Sequence, residues 1–401
     1  MKNKNVLFAL LFLCFIDALG MTIILPILPD IFYDHNYGLL VNYSSSSALL
    51  YGLSIAIFPL GTLFGMPILG TYSDKFGEKK VLLAGLKIEV LGFVIAVVSI
   101  YIQNPFLFII SRAICGFAIG NYAVINSTIV KNVKEIDRSL VFRYPILAFL
   151  LGGIIGPILG GTCLSVSDSR WALMSPFLIA IILVLINFVM LHLSLKDIKK
   201  ELVKDESRKV FQAFKNLFFI FSKKELLSFV MFLLLLRCMQ GVFTQSIAVV
   251  LSQSLDFSTS KITLFFTLSA LFTIISIMYI QIKVTKLIKS LNKRVLICVI
   301  IISFTFILLY LFVENNLMLW SMSMLVYLIL PILNTNCFAY ISLQIPDDEQ
   351  GKAFGGIGQI QYVGFMIGGL SIVVFNISTT LVTVIPLIFT LLALVLFLMK
   401  K

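Results

Sequence analysis

Apolar residues in this chain neither alternate as in a half-buried strand nor mark out one face of an amphipathic helix. They run on for about 20 residues at a time, the length that crosses a bilayer as a helix. Twelve such runs follow one another: residues 6–28, 48–69, 81–101, 106–130, 142–163, 172–195, 226–251, 262–283, 294–313, 317–345, 353–376 and 379–399. The pattern predicts an all-α membrane protein with 12 transmembrane helices. One long charged interruption, residues 196–224, leaves six runs on either side. The expected organisation is therefore an N-terminal six-helix bundle over 1–195, a cytoplasmic linker over 196–224 and a C-terminal six-helix bundle over 225–401. Within the linker Val210, Phe211, Phe214, Leu217 and Phe218 recur at helical spacing beside lysines. That suits an interfacial amphipathic helix; a solvated linker is the alternative.

Composition agrees with this pattern. The chain is 60% hydrophobic and 12% charged, against about 45–50% and about 25% in soluble domains. Its net charge of +12 raises the question of a nucleic-acid partner, but the placement of the charges points to topology. With the N-terminus on the cytoplasmic side, most Lys and Arg fall in cytoplasmic segments, as the positive-inside rule requires. The expected partner is the lipid bilayer, with both termini cytoplasmic, and no nucleic acid. Lys2 and Lys4 before an apolar run, then "ALG", imitate a signal peptide. The run continues through Leu28, so it is read as the first membrane helix. The six cysteines mostly lie in or at the ends of spans without metal-ligand spacing, and read as small hydrophobes. "GGIGQI" sits in an apolar span with no strand before it and no phosphate-binding Lys-Ser/Thr. No cofactor, no metal and no enzymatic activity are expected.

Against this background the ionisable residues inside spans stand out. At a helix centre each costs about 2.5–3.5 kcal/mol on insertion scales. Asp17 lies mid-way along span one, Arg237 at the equivalent depth of span seven, and Arg112 in span four. Lys87 and Glu89 share span three, two residues apart and so on different faces. Asp17 can exchange a proton when its surroundings change, whereas arginine stays charged. Asp17, with Arg112 and Glu89, is the candidate proton-coupling set; a static Asp17–Arg112 ion pair is the rival reading. Arg237, Gln240 and Thr244 follow i, i+3, i+7, which makes one face of span seven polar. With Asn121, Tyr122, Asn334 and Gln359 they are the candidate substrate-binding residues. If Asp17, Arg112 and Arg237 line one cavity, its positive sign favours an anionic or zwitterionic guest, and arginine suits carboxylates. A pairing of Arg237 with Glu89 or with a helix C-terminus competes with substrate contact.

Weak internal repetition supports two similar halves. "KKVLL" at 79–83 resembles "KRVLI" at 293–297, and "IDRSLVF" at 136–142 resembles "DEQGKAF" at 348–354, offsets of 214 and 212 residues. Transporters use such duplicated halves with a substrate site at mid-membrane.

Four motifs then carry a family resemblance. "GTYSDKFGEKK", from Gly70 to Lys80, resembles the loop between spans two and three of the major facilitator superfamily. "RAICGFAIG" is similar to that family's intramembrane Arg motif, and "GGIIGPILGG" to the Gly-Pro motif of its proton-driven antiporters. "DALGMTIILPILP" looks like the first helix of the tetracycline/proton and related drug/proton antiporters. Glu78 departs from the pattern, standing where the family usually has a basic or neutral residue. The resemblance implies a cytoplasmic gate loop built from Gly70, Asp74, Lys75, Gly77, Lys79 and Lys80. Gly70 and Gly77 are expected to permit a tight turn, and Asp74 to latch onto the start of span eleven near 352–356. The lysines are equally well read as topological anchors. Gly152, Gly156, Pro157, Gly160 and Gly161 correspond to the antiporter-type motif; close helix packing is the plainer account.

The reading that results is a proton-coupled antiporter of a bacterial cytoplasmic membrane, functional as a monomer. It exports a small amphipathic compound, anionic or zwitterionic by preference, driven by the proton gradient and by alternating access. A proton-coupled carrier of a carboxylate metabolite, amino acid or siderophore is the alternative. A non-transporting sensor on the same scaffold is a remote third, for which an appended signalling segment would argue.

Overall fold

The computed structural model describes residues 4–41, 47–122, 124–125, 128–129, 143–166, 169–195, 221, 226–346 and 350–399. Among these residues regular structure is helical throughout. The helices are α1 (Lys4–Thr22), the short α2 (Leu28–Tyr33), α3 (Ser47–Phe76), α4 (Glu78–Tyr101), α5 (Pro105–Ile119), α6 (Arg143–Ser165) and α7 (Arg170–Ser194). They continue with α8 (Leu227–Gln253), α9 (Thr259–Ile275), α10 (Gln281–Leu287), α11 (Leu291–Leu311), α12 (Asn316–Gln344), α13 (Gln350–Phe375) and α14 (Val384–Met399). Eleven helical stretches are long and apolar enough to cross a membrane, and the shorter α5 is a further apolar helix. Helices satisfy every backbone group internally, which is what hydrocarbon demands of a spanning segment. The chain is a multi-pass membrane protein.

Local chemistry sets the helix ends. Asn104 caps α5, its side chain accepting from the Leu107 amide at 3.1 Å, with Pro105 in the first turn. Asn315 caps α12 by accepting from Leu317 and Met318 at 3.0 and 3.2 Å. Between α3 and α4 the turn is made by Gly77 alone, at φ 88°, a conformation that only glycine adopts without strain. Gly70 corrects the expectation of a turn at both glycines. The helix runs through it to Phe76, with the Thr71 hydroxyl donating to Pro67 O and that of Ser73 to Gly70 O. Glu78 opens α4, and a carboxylate in a first turn complements the helix dipole, which gives the departure from the family loop a physical reason. A π-helical turn, Ser276–Ile280, joins α9 to α10. The expected interfacial helix at 210–218, the repeated segment 136–142 and Asp348 and Glu349 of "DEQGKAF" lie outside the described residues, and the rest of that segment opens α13.

The chain divides into two compact units: Met1–Ala213 with Ser258–Thr263, and Phe214–Phe257 with Leu264–Lys401. In the first, α1 packs on α6 and α7, α3 on α5, and α4 on α5 and α7. In the second, α8 packs on α13 and α14, and α11 on α12 and α14.

Glycines allow the closest of these contacts. A Cβ built on Gly152 would run into Phe15 O, one on Gly156 into the Thr22 hydroxyl, and one on Gly160 into Ile23 O. So α6 lies backbone to backbone along residues 15–23 of α1, the small-residue packing that membranes favour. The second unit repeats the device: Gly241 of α8 faces the carbonyl of Gly364, while Gly364 and Gly368 of α13 face those of Arg237 and Gly241. Gly153 has no neighbour within 4 Å of its missing Cβ. Gly152→Val is therefore expected to destabilise the protein by about 1–3 kcal/mol through overpacking, read as a lowered unfolding temperature in detergent. Gly153→Val should leave that temperature nearly unchanged.

Candidate functional site

Both mid-span ionisable residues sit on the helix turns that glycines pin. With residues 15–23 of α1 held against α6, Asp17 is buried, 3% exposed. Its neighbour across the bundle is α4. One turn on from Asp17, the Cβ position of Gly20 lies 3.6 Å from Glu89 Oε1 and 3.0 Å from Phe93 Cζ. Glu89 is likewise buried, 2% exposed. Asp17 Oδ2 and Glu89 Oε1 are buried without a hydrogen-bond partner. Lys87 is exposed, its ammonium 5.7 Å from the Phe188 ring centroid, on a different face from Glu89.

Arg112 does not meet Asp17. Its guanidinium lies 4.3 Å from the centroid of the Phe58 ring on α3, a cation–π contact strengthened by burial. Asn121 is 3% exposed; its amide nitrogen occupies the space where Gly85 lacks a Cβ, and its Oδ1 has no partner. Tyr122 stacks edge-on against Phe149, centroids 6.3 Å apart.

In the second unit Arg237 is 2% exposed. Its Nη1 donates to Gln240 Oε1 at 2.9 Å, and its guanidinium stands 5.9 Å from the Phe338 ring centroid. The Thr244 hydroxyl donates to the backbone carbonyl of Gln240 at 2.8 Å, so on the expected i, i+3, i+7 face Arg237 and Gln240 are joined through their side chains while Thr244 is bonded to the helix backbone. Among the described residues no carboxylate pairs with Arg237 or Arg112. Gln359 is 6% exposed with its Oε1 unpartnered, and Asn334 is half-buried. Asn336 is spent locally, donating to Ile332 O at 2.7 Å.

In the gate loop Asp74 and Lys80 are exposed, and Lys75 and Lys79 half-buried. Lys75 lies over the Phe76 ring at 4.5 Å. The side chains expected opposite Asp74, at 352–355, lie outside the described residues. Three participants escaped the sequence reading. Phe58 and Phe338 under the arginines gave no signal, being two of 36 phenylalanines. Asn187, fully buried in α7 and donating to Ala9 O at 2.9 Å, was visible as a lone amide in an apolar span.

Outside the spans, Asp30 in α2 accepts from the Thr259 hydroxyl at 2.6 Å. Burial raises its carboxyl above the ordinary range, partly offset by that hydrogen bond, while Asp34 adds to the rise.

Two units of helical spans with ionisable side chains buried inside them suit a membrane transporter, and comparison with known proteins names the family. Residues 10–369 match the Major Facilitator Superfamily, and the chain belongs to that superfamily. It is 30% identical over 192 residues to the tetracycline resistance protein, class C, of Escherichia coli, a match covering 47% of this chain and 44% of that protein. It is 26% identical over 189 residues to a multi-drug resistance efflux pump PmrA homolog of Lactococcus lactis, covering 47% and 45% respectively. The matches thus span less than half of each relative's length. The crystal structure of the nucleoside transporter NupG superposes with a TM-score of 0.75 at 13% identity, covering 98% of this chain and 99% of that one, which establishes the fold.

Replacing Gln240 with Leu removes the one hydrogen-bond acceptor that the buried Arg237 guanidinium has among the described residues. That is expected to cost about 1–3 kcal/mol, seen as a lower unfolding temperature in detergent.

Proposed function

We propose that this transporter is a proton-coupled antiporter that exports a small amphipathic compound carrying a carboxylate or zwitterionic group. The observation that supports this most is Arg237: a permanent cation, buried at mid-span, whose only polar contact among the described residues is a neutral amide. A buried charge of that kind is costly unless an anion completes it, and a guanidinium forks onto a carboxylate through paired hydrogen bonds. Gln240 and Thr244 extend the same polar strip, with Asn334 and Gln359 as further candidates from α12 and α13. The other unit holds what Arg237 cannot supply, carboxyl groups able to gain and lose a proton: Asp17 and Glu89. Arg112, stacked on Phe58, is the fixed charge of that unit.

The relatives named for tetracycline resistance and multidrug efflux favour export. In this reading the chain lies in a bacterial cytoplasmic membrane with both termini inside and works as a monomer. The two units act as its six-helix bundles, with the gate loop from Gly70 to Lys80 on the cytoplasmic side. It needs no cofactor beyond the proton gradient. A carrier of a carboxylate metabolite, amino acid or siderophore would share the Arg237 chemistry and differ in direction.

Liposomes containing a pH dye separate these outcomes when lipophilic cations, zwitterionic drugs and carboxylate metabolites are added in turn. Zwitterionic or carboxylate-bearing compounds are expected to move protons. Asp17→Asn should abolish the signal, and Arg237→Gln should raise the half-saturating substrate concentration about tenfold or more, the loss of one charge-assisted contact. A signal driven by lipophilic cations, or an active Asp17→Asn, overturns the reading.

A further inference from the structure

We propose that Asp17 and Glu89 form one proton site, an acid pair across α1 and α4 that holds a single proton between them, so that neither residue is an independent carrier. The proposal rests on the proton-coupled reading and specifies where the proton resides.

Geometry supports it first. Glu89 Oε1 reaches the α1 surface at Gly20, 3.6 Å from that residue's Cβ position, and Gly20 and Asp17 share a helix face at i, i+3. The α6 glycines fix the opposite side of α1, so the carboxylates cannot separate by rolling that helix without breaking its backbone contact. Both are at least 97% buried, 3% and 2% exposed.

Hydrogen-bond accounting supports it next. Asp17 Oδ2, Glu89 Oε1 and Asn121 Oδ1 are all buried acceptors without a donor. Asn121 lies against Gly85, one turn from Glu89 on the same face of α4. Buried acceptors are rarely left unpaired, and a carboxylate from α1, a carboxylate from α4 and the Asn121 amide oxygen, all without a donor, leave the site short of a hydrogen. A proton on one carboxyl supplies it, turning that group into a donor for the other.

Among the described residues the surroundings offer no other compensation. On α1 the titratable neighbour is Cys14, which is buried. On α4, Lys87 points to an exposed face toward Phe188 of α7. From α5 come Cys115, against Gly92, and Arg112, committed to the Phe58 ring. Between residues 144 and 165 α6 carries only Tyr144 and Cys163, and α7 bears Arg170 and His192 near its two ends. From α3, Asp74 and Lys75 sit in the last turn and Tyr51 in the first part. Two carboxylates sharing an apolar site without a cation resist ionising together, and such groups titrate as a pair in two steps. The balance is simple: one proton enters, one O–H forms, and the pair passes from two negative charges to one.

The test is a pH titration of the protonated-carboxyl infrared band of the full-length protein in detergent, without substrate or gradient, in wild type, Asp17→Asn and Glu89→Gln. Each single variant leaves one acid without an anionic neighbour. Its band is then expected to disappear at a pH lower by about one unit or more than the last loss in wild type, the signature of coupled sites. Asp17→Glu keeps two acids and should keep the wild-type midpoint, which separates coupling from damage to the fold. If the remaining acid in either variant titrates where the wild-type band does, the two are independent and the proposal fails. It fails equally if sodium ions, at constant pH, remove the band, since the site then takes a metal cation. Because no transport is measured, a wrong substrate or direction leaves this result untouched.

Discussion

The contact on which the rest depends is the backbone-to-backbone approach of α1 and α6. Hydrocarbon gives no hydrophobic reward for bringing two helices together, so association relies on close packing and on whatever polar contacts result. Gly152, Gly156 and Gly160 bring the α6 surface onto the carbonyls of residues 15–23. That fixes the rotation of α1 and presents Asp17 to α4. The same device governs the second unit, where Gly241, Gly364 and Gly368 interlock and the carbonyl of Arg237 itself lies at the contact. An ionisable side chain in a membrane helix is useful only if its orientation is fixed. Here each is anchored at the turn where the helix is least free to move.

Much of this was legible in the sequence, and the limits have physical causes. Spans are legible because a bilayer imposes one length and one composition, and the observed helices follow the apolar runs closely. Asp17, Arg112 and Arg237 were legible as exceptions for the same reason. Their partners were not. Which residue faces Asp17 depends on the rotation of α1 about its axis, set by glycines 135 residues or more away in sequence. Phe58 and Phe338 are indistinguishable from other phenylalanines until the packing is known. Gly70 shows the converse: a glycine in a loop motif invites a turn, but the helix runs through it to Phe76, its last turns carrying the hydroxyl bonds of Thr71 and Ser73 and the aromatic pair Tyr72–Phe76, centroids 5.8 Å apart.

The two arginines look alike in sequence and differ in environment. Arg112 rests directly on an aromatic face, a contact that offsets part of the cost of burying it. Arg237 stands farther from its ring and spends one nitrogen on Gln240, and a planar guanidinium with five donors has more to offer than one amide can accept. Both arginines keep donors to spare, and Arg237 is set apart by the polar side chains of Gln240 and Thr244 on its own helix, which make it the better candidate for a group that meets a ligand.

Chemistry then divides between the two units. A guanidinium keeps its charge across the physiological range and suits the recognition of an anion, yet it cannot report whether a proton is present. A pair of carboxyls does the opposite: its charge changes by one with each proton, and in a site of low dielectric that change alters every nearby interaction strongly. A carrier that exchanges protons for an anionic or zwitterionic compound requires both kinds of group, and requires that they not neutralise each other permanently. Under the proposed reading, placing Arg237 in one unit and the acids in the other, each pinned by its own glycine contact, would meet that requirement. An Asp–Arg ion pair within one unit would have been the simpler way to bury both charges, and it would have left neither free to respond.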